Sequence, residues 1–280
     1  MIATVRTGIA RGGIELKQTF TTPVDLWGYL FPAVLLLGTI FFMRDAHVPG
    51  TTFSLGSQTL PSALGMNLAF SGLVLAAQLL LVEREDGTLL RAKATPNGMT
   101  AYLIGKVVLV GGMSLIGFLL PLIPGQLLVS GLHVGLGGWM TLLWLVPLAF
   151  VSTMPLGAVL GSLFDNPRNM GLIMLPLIGL IAISGVFYPI TAMPGWLQGI
   201  AQVFPIYWLG LGMRSVFLPG ALSAVELTRS WRHLETFGVL TVWAVLGLLL
   251  APVILRRMAR RESGSAVAAR RERLMSTVGR

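Results

Sequence analysis

Cysteine is absent and charge is scarce. With no cysteine, the chain has no disulfide, no thiolate metal site and no cysteine nucleophile, so external loops are held by packing alone. Asp, Glu, Lys and Arg make up only 11% of the residues, with 20 basic against 11 acidic. A soluble domain needs far more charge to cover its surface. Histidine is scarce too: His47, His133 and His233 fall in predicted external loops, far apart and without an acidic cluster at metal-ligand spacing, so no metal site is expected. An intramembrane protease would need its catalytic groups within the spans. No predicted span carries histidine, and Asp25 and Asp165 sit at span ends, so catalysis is not expected.

What fills the chain is hydrocarbon. Hydrophobic residues are 54% of it and the mean hydropathy is +0.80, the composition of an integral membrane protein. A helix crosses a core of about 30 Å with about 20 apolar residues. Runs of that kind lie at 26 to 43, 62 to 82, 101 to 129, 139 to 163, 169 to 188 and 237 to 255, predicting six spans. A semi-apolar stretch at 194 to 217 is broken by Pro194, Gly195, Pro205, Gly210 and Gly212. It is too interrupted for a seventh span, and a re-entrant hairpin fits it better if its irregular backbone is buried against protein.

Basic residues set the orientation. With the N-terminus cytoplasmic, that side receives 16 of the 20 Lys and Arg, and the other side receives Arg44, Arg214, Arg229 and Arg232. This asymmetry predicts both termini inside. Three regions follow: an interfacial segment 1–22, a transmembrane domain 23–255 and a basic tail 256–280. In the first, Val5, Ile9, Leu16 and Phe20 recur near one helical face, with Arg6, Arg11 and Lys17 available to headgroups; Gly12 and Gly13 weaken that helix. The arginine-rich tail suits anionic headgroups. No folded reader accompanies it, so nucleic acid is not an expected partner.

One connection departs from the surrounding apolarity. Six of the eleven residues from Glu83 to Lys93 are charged, between the second and third spans and on the cytoplasmic side. Gly87 and Pro96 punctuate it, leaving room for two turns of helix over Thr88 to Ala94, with Leu89 and Leu90 toward the protein and Arg91 and Lys93 toward the cytosol. By composition alone a solvated loop, whose charges keep the ends of two spans out of the lipid, is the favoured reading. In the second span, Asn67, Ser71 and Gln78 fall within roughly 40° of one another at 100° per residue, with Phe70 beside them. Such a polar face serves either hydrogen bonding between helices or a water-filled path. Gly157 and Gly161 read as helix packing. Pro121, Pro124 and Pro176 are expected to kink or break their helices.

The string EREDGTLLRAKATP from Glu83 to Pro96, with Lys106 ten residues on, resembles the signature of ABC-2 type permeases, the membrane subunits of a class of ATP-driven exporters. The segment SGVFYPITAMPGWLQGIAQVFPIYWLGLGMR, residues 184 to 214, resembles the same family's stretch after its fifth span. The branch most resembled is the drug-exporter one, typified by daunorubicin-resistance permeases. The resemblance implies an all-α membrane protein of six transmembrane helices with an N-terminal interfacial helix. It also implies a cytoplasmic coupling helix between spans two and three, docking an ATPase through Glu83, Glu85, Gly87, Thr88, Leu90 and Arg91. A re-entrant hairpin between spans five and six would carry Pro189, Pro194, Trp196, Pro205 and Arg214. Spans two and five line the pathway in related exporters, which would put Asn67, Phe70, Ser71 and Gln78 along it.

The chain lacks a phosphate-binding G-x-x-x-x-G-K-[ST] loop; its single Gly-Lys pair, Gly105-Lys106, has no upstream glycine at the required spacing and is followed by Val107. ATP and Mg are therefore expected on a separate cytosolic ABC ATPase subunit in two copies, with no cofactor on this chain. A second permease subunit, in a homodimer, and a hydrophobic or amphipathic cargo complete the expectation. An ion-coupled carrier or a membrane scaffold that recruits a cytosolic partner are the competing readings. The first usually needs ionisable groups or broken helices at matching positions of two repeats, of which the sequence offers little.

Overall fold

The computed structural model describes residues 2–43, 45, 55–128, 132, 134–164, 170–186 and 189–261. Helix dominates, and no strand occurs among the described residues. In hydrocarbon every backbone donor and acceptor needs a partner within the segment, which a helix supplies. The order is α1 (Ile2–Thr21), α2 (Pro23–Met43), α3 (Leu55–Phe70), a π-helical turn (Ser71–Leu75), α4 (Ala76–Glu85) and α5 (Thr88–Lys93). It continues through α6 (Gly98–Leu128), α7 (Leu136–Ser162), α8 (Met170–Ile183), α9 (Gly195–Val203), α10 (Pro205–Phe217) and α11 (His233–Arg261).

Five of these are long and apolar enough to cross a membrane: α2, the continuous α3–π–α4 unit, α6, α7 and α11. The predicted fifth span is shorter than expected. Its helix α8 has 14 residues and stops at Ile183, where Ser184 and the positive-φ Gly185 (72°) turn the chain. At 1.5 Å per residue it reaches about 21 Å. Pro121, Pro124 and Pro176 do not break their helices, since α6 and α8 run through them. The last span continues as helix to Arg261, so the first basic residues of the tail are helical, while 262–280 lie outside the described residues.

Lipid tails are as apolar as leucine, so the bundle is held by close packing rather than by expulsion of apolar surface from water. Small residues make that possible. A Cβ at Gly157 would lie 2.3 Å from the Leu73 carbonyl oxygen, and one at Gly161 2.6 Å from that of Ala77. This presses α7 onto the π turn and α4, the packing role the sequence suggests for this glycine pair.

The interrupted stretch 194–217 becomes two helices joined at Phe204. Its prolines begin elements: Pro205 opens α10, Pro194 immediately precedes α9, and Pro189 precedes a short 3-10 turn, Ile190–Ala192. Such a position costs no backbone hydrogen bond. Gly210 and Gly212 interrupt nothing; both lie inside α10, where a Cβ at Gly212 would meet Leu145 at 2.7 Å. Nearly every residue of α10 is buried, against α3, α7 and α11, whereas α9 leaves Trp196, Ile200 and Val203 exposed. At 13 residues, α10 reaches about 20 Å, too short to cross.

Arg214 anchors this region instead of occupying a loop. It is 1% exposed. Its Nε and Nη2 donate to the two carboxylate oxygens of Glu226 at 2.6 and 3.2 Å, and Nη1 donates to Ser62 Oγ and the Gly185 carbonyl, each at 3.3 Å. A buried guanidinium is tolerable when its charge is paired and its donors are satisfied. Arg214 thereby ties α10 to α3, to the turn after α8 and to the segment before α11.

Candidate functional site

The connection from Glu83 to Lys93 lies at one end of the bundle and is built by its turn chemistry. Gly87 adopts φ 79°, a left-handed conformation that glycine takes without steric cost, and so reverses the chain between α4 and α5. Asp86 Oδ1 accepts from the Thr88 backbone N–H at 2.7 Å, and Thr88 Oγ1 accepts from Arg91 Nη2 at 2.8 Å. The helix α5 turns Leu89 and Ala92 into a small core with Leu80, Tyr102 and Met258. Leu90 is half-buried and Arg91 exposed. The predicted two turns of helix thus form, with Leu89 rather than Leu90 as the anchor.

Glu83 does not share the outer surface of α5. Its carboxylate turns inward, where Oε2 accepts from Tyr102 at 2.5 Å and Oε1 pairs with Lys106. Lys106 also reaches Glu15 Oε2 at 2.5 Å, and Glu15 Oε1 accepts from Arg11 Nε at 2.8 Å. Two cations and two carboxylates balance, and the Arg11 and Lys106 charges each lie 5.6 Å from the Tyr102 ring centroid, within cation–π range. The chain of contacts joins α1, α4 and α6. Burial pushes the Glu15 carboxyl up, but hydrogen bonds from Arg11 and Lys106 outweigh it and hold the group below its ordinary value. Arg84 is buried and donates to the Phe164 carbonyl at 2.7 Å. Glu85 closes α4, and its side chain lies outside the described residues.

The N-terminal segment is a helix, as expected, and the face it turns to α6 carries Gly8, Gly12 and, from the apolar stripe, Leu16 against Gly112. Gly8 and Gly12 are its buried residues, and a Cβ at Gly12 would lie 2.4 Å from the Gly105 carbonyl oxygen. Of the two glycines expected to weaken α1, Gly12 is what allows it, with Gly8, to lie against α6, while Gly13 faces open space and Val5 and Ile9 stay exposed. Between α1 and the α5–α6 corner runs a groove of about 620 Å³, lined by Thr4, Thr7, Arg11, Thr88, Arg91 and Asn97 among others. Its walls mix hydroxyls, an amide and guanidinium groups with Ala3, Ala92, Pro96 and Ala101, a small-residue surface edged by polar groups.

The polar face of the second span is divided. The π turn at Ser71–Leu75 carries one residue more than an α-helix would, so residues beyond it are rotated by about 100° from a uniform helical count. Asn67 is half-buried, and its Oδ1 is buried without a hydrogen-bond partner, beside Gly117 of α6. Phe70 packs on the main core. Gln78, past the turn, is exposed. Asn67 and Gln78 therefore do not share a face, and Ser71 stands half-buried at the turn.

Sequence reading passed over Tyr102 and Glu15, and it noted Lys106 without giving it a partner. A signal existed: Lys106 falls five residues inside the predicted third span, and an ammonium at that depth calls for a carboxylate partner.

The fold defines the class: a multi-pass bundle of membrane-crossing helices with a charged corner at one end. The family model described as ABC-2 family transporter protein matches residues 43–252, and the chain belongs to that family. It is thus the multi-pass membrane permease of an ABC transporter and works with an ABC ATPase. The comparison with curated proteins finds no match.

Proposed function

We propose that this permease exports a hydrophobic or amphipathic compound (a drug, antibiotic, lipid or natural product) across the cell membrane, in the manner of the daunorubicin-resistance branch. Both termini face the cytoplasm. Two copies of the chain form a homodimer, and each docks one of two ATPase subunits that bind ATP and Mg. The observation that carries the reading is the polar groove between α1 and α5, seated on the Glu83–Lys106–Glu15 network. A partner helix in that groove would meet Thr88 and Arg91 directly, with the half-buried Leu90 beside them. Gly87 gives the corner its shape, Glu85 stands at its edge, and Glu83 stiffens it from within. ATP binding and hydrolysis act by favouring one placement of α1 and α5 over another, which shifts the access state of the bundle.

The second copy supports a place for the pathway. Only 12% of the α2 span is buried in its own chain, against 50% of α3–α4, and α2 presents Trp27, Phe31 and Phe42 outward. Gln78 faces out of the bundle about two turns from the charged end. An exposed amide in an apolar span needs water or a partner subunit, which supports a path past Gln78 and Ser71, with Phe70 and Asn67 behind them.

The test is co-purification of the cognate ATPase in lipid. Arg91→Glu is expected to abolish association and permease-dependent ATP hydrolysis while leaving the permease's own melting temperature within about 1 °C, since exposed side chains contribute little to stability. If Arg91→Glu retains full coupled hydrolysis, the groove is not the docking site.

A further inference from the structure

A second cavity at the charged end differs in chemistry from the docking groove. It is a cleft of about 790 Å³ between α4, α6, α7 and α11. Its walls are apolar, and Leu103, Val107 and Val151 lie exposed along it. α6 does not pack along α11 here, whereas α7 and α11 are closely paired. On α6 the lining runs from Met99 to Val110, about 16 Å at 1.5 Å per residue. That is the depth of one leaflet of a hydrocarbon core about 30 Å thick.

Charge enters from one end and reaches as far as Lys106 on α6. Lys93, Lys106, Arg256 and Arg260 line the cleft. Lys106 is committed to Glu15 and Glu83. Arg256 and Arg260, four residues apart on one face of α11, are exposed, and no carboxylate among the described residues pairs with either. Arg257, between them in sequence, does not line the cleft.

We propose that this cleft is a binding site for an anionic phospholipid of the leaflet at the charged end, with its acyl chains between α6 and α11 and its phosphate on Arg256 and Arg260. The apolar walls alone would accept any lipid. Two unpaired guanidinium groups at headgroup depth select a negative one, since they bind phosphate in bidentate geometry and basic pockets between transmembrane helices attract anionic headgroups. The bound lipid fills a gap that direct helix contact leaves open, next to the small core that seats α5.

The experiment is native mass spectrometry of the full chain released from nanodiscs of equimolar phosphatidylglycerol and phosphatidylcholine. Wild type and Arg257→Gln are expected to retain phosphatidylglycerol about tenfold over phosphatidylcholine. The double variant Arg256→Gln, Arg260→Gln is expected to hold both within about twofold, and Val107→Trp, which narrows the cleft, to retain less of either. Equal retention by wild type would overturn the site, as would loss of preference in Arg257→Gln as complete as in the double variant, which would mark diffuse attraction to a basic surface. Unchanged retention in Val107→Trp would place the lipid elsewhere and also overturn it.

Discussion

Lys106 holds two carboxylates from two other helices, and its removal leaves both without their shared cation. Its side chain is 14% exposed, and those of Glu83 and Glu15 are 12% and 24% exposed. Breaking one side of a mostly buried pair costs more than the pair contributes, because the remaining charge stays desolvated. Lys106→Met is expected to destabilise the permease by about 3 kcal/mol, read as a lowered melting temperature in detergent. Adding Glu83→Gln to that variant is expected to recover part of the loss, since it removes the stranded charge. The same network predicts a pH dependence. A glutamate held below its ordinary value of 4.5 contributes stability that is full above that value and disappears as pH falls through its lowered folded value. Wild type is expected to outlast Glu15→Gln in thermal melts at pH 7, with the difference closing as the buffer is taken below pH 4.5. A constant difference down the whole pH series would mean that Glu15 acts through packing instead of charge.

At the scale of elements, α1 is joined to α6 through the absence of side chains. Gly12→Leu places a side chain where the Gly105 carbonyl oxygen already sits and is expected to lift α1. Because the chain has no native cysteine, the outcome can be read by cross-linking a cysteine introduced at Leu16 to one introduced at Gly112, which face each other across the two helices. The cross-link is expected to form in the parent and to be lost with Gly12→Leu. How much of this was legible in sequence depends on how local the physics is. Apolar runs reveal spans because the hydrocarbon thickness fixes their length, and the Gly87 reversal shows in its neighbours. The face on which α1 packs did not show, because a glycine that weakens an isolated helix is the residue that permits contact once a second helix is present. The burial of α10 was hidden for the same reason: Pro205, Gly210 and Gly212 look like breakers until α3 and α7 lie against them. Nor did the facing of Gln78 emerge, since a uniform 100° count has no means of registering an extra residue in the turn.

As a whole molecule, the chain has two ends of different character. The end with α10 is closed by a buried guanidinium and its carboxylate, with Ser62 and Gly185 adding hydrogen bonds across three other segments. The opposite end carries a polar groove and a cleft, both bordered by α6. Sedimentation of the reconstituted complex is expected to show two 30.0 kDa chains per assembly; a single chain per pair of ATPase subunits would rule out the homodimer.

The π turn midway along the second span has a genetic meaning as well as a geometric one. It amounts to one codon accommodated in an otherwise regular helix, and the widened turn keeps everything downstream, from Gln78 to Glu83, aimed as a regular helix one residue shorter would aim it. Deleting Leu75 would therefore restore a straight helix with Glu83 still facing Lys106, whereas winding the same residues into a uniform α-helix would carry Glu83 about 100° away from it.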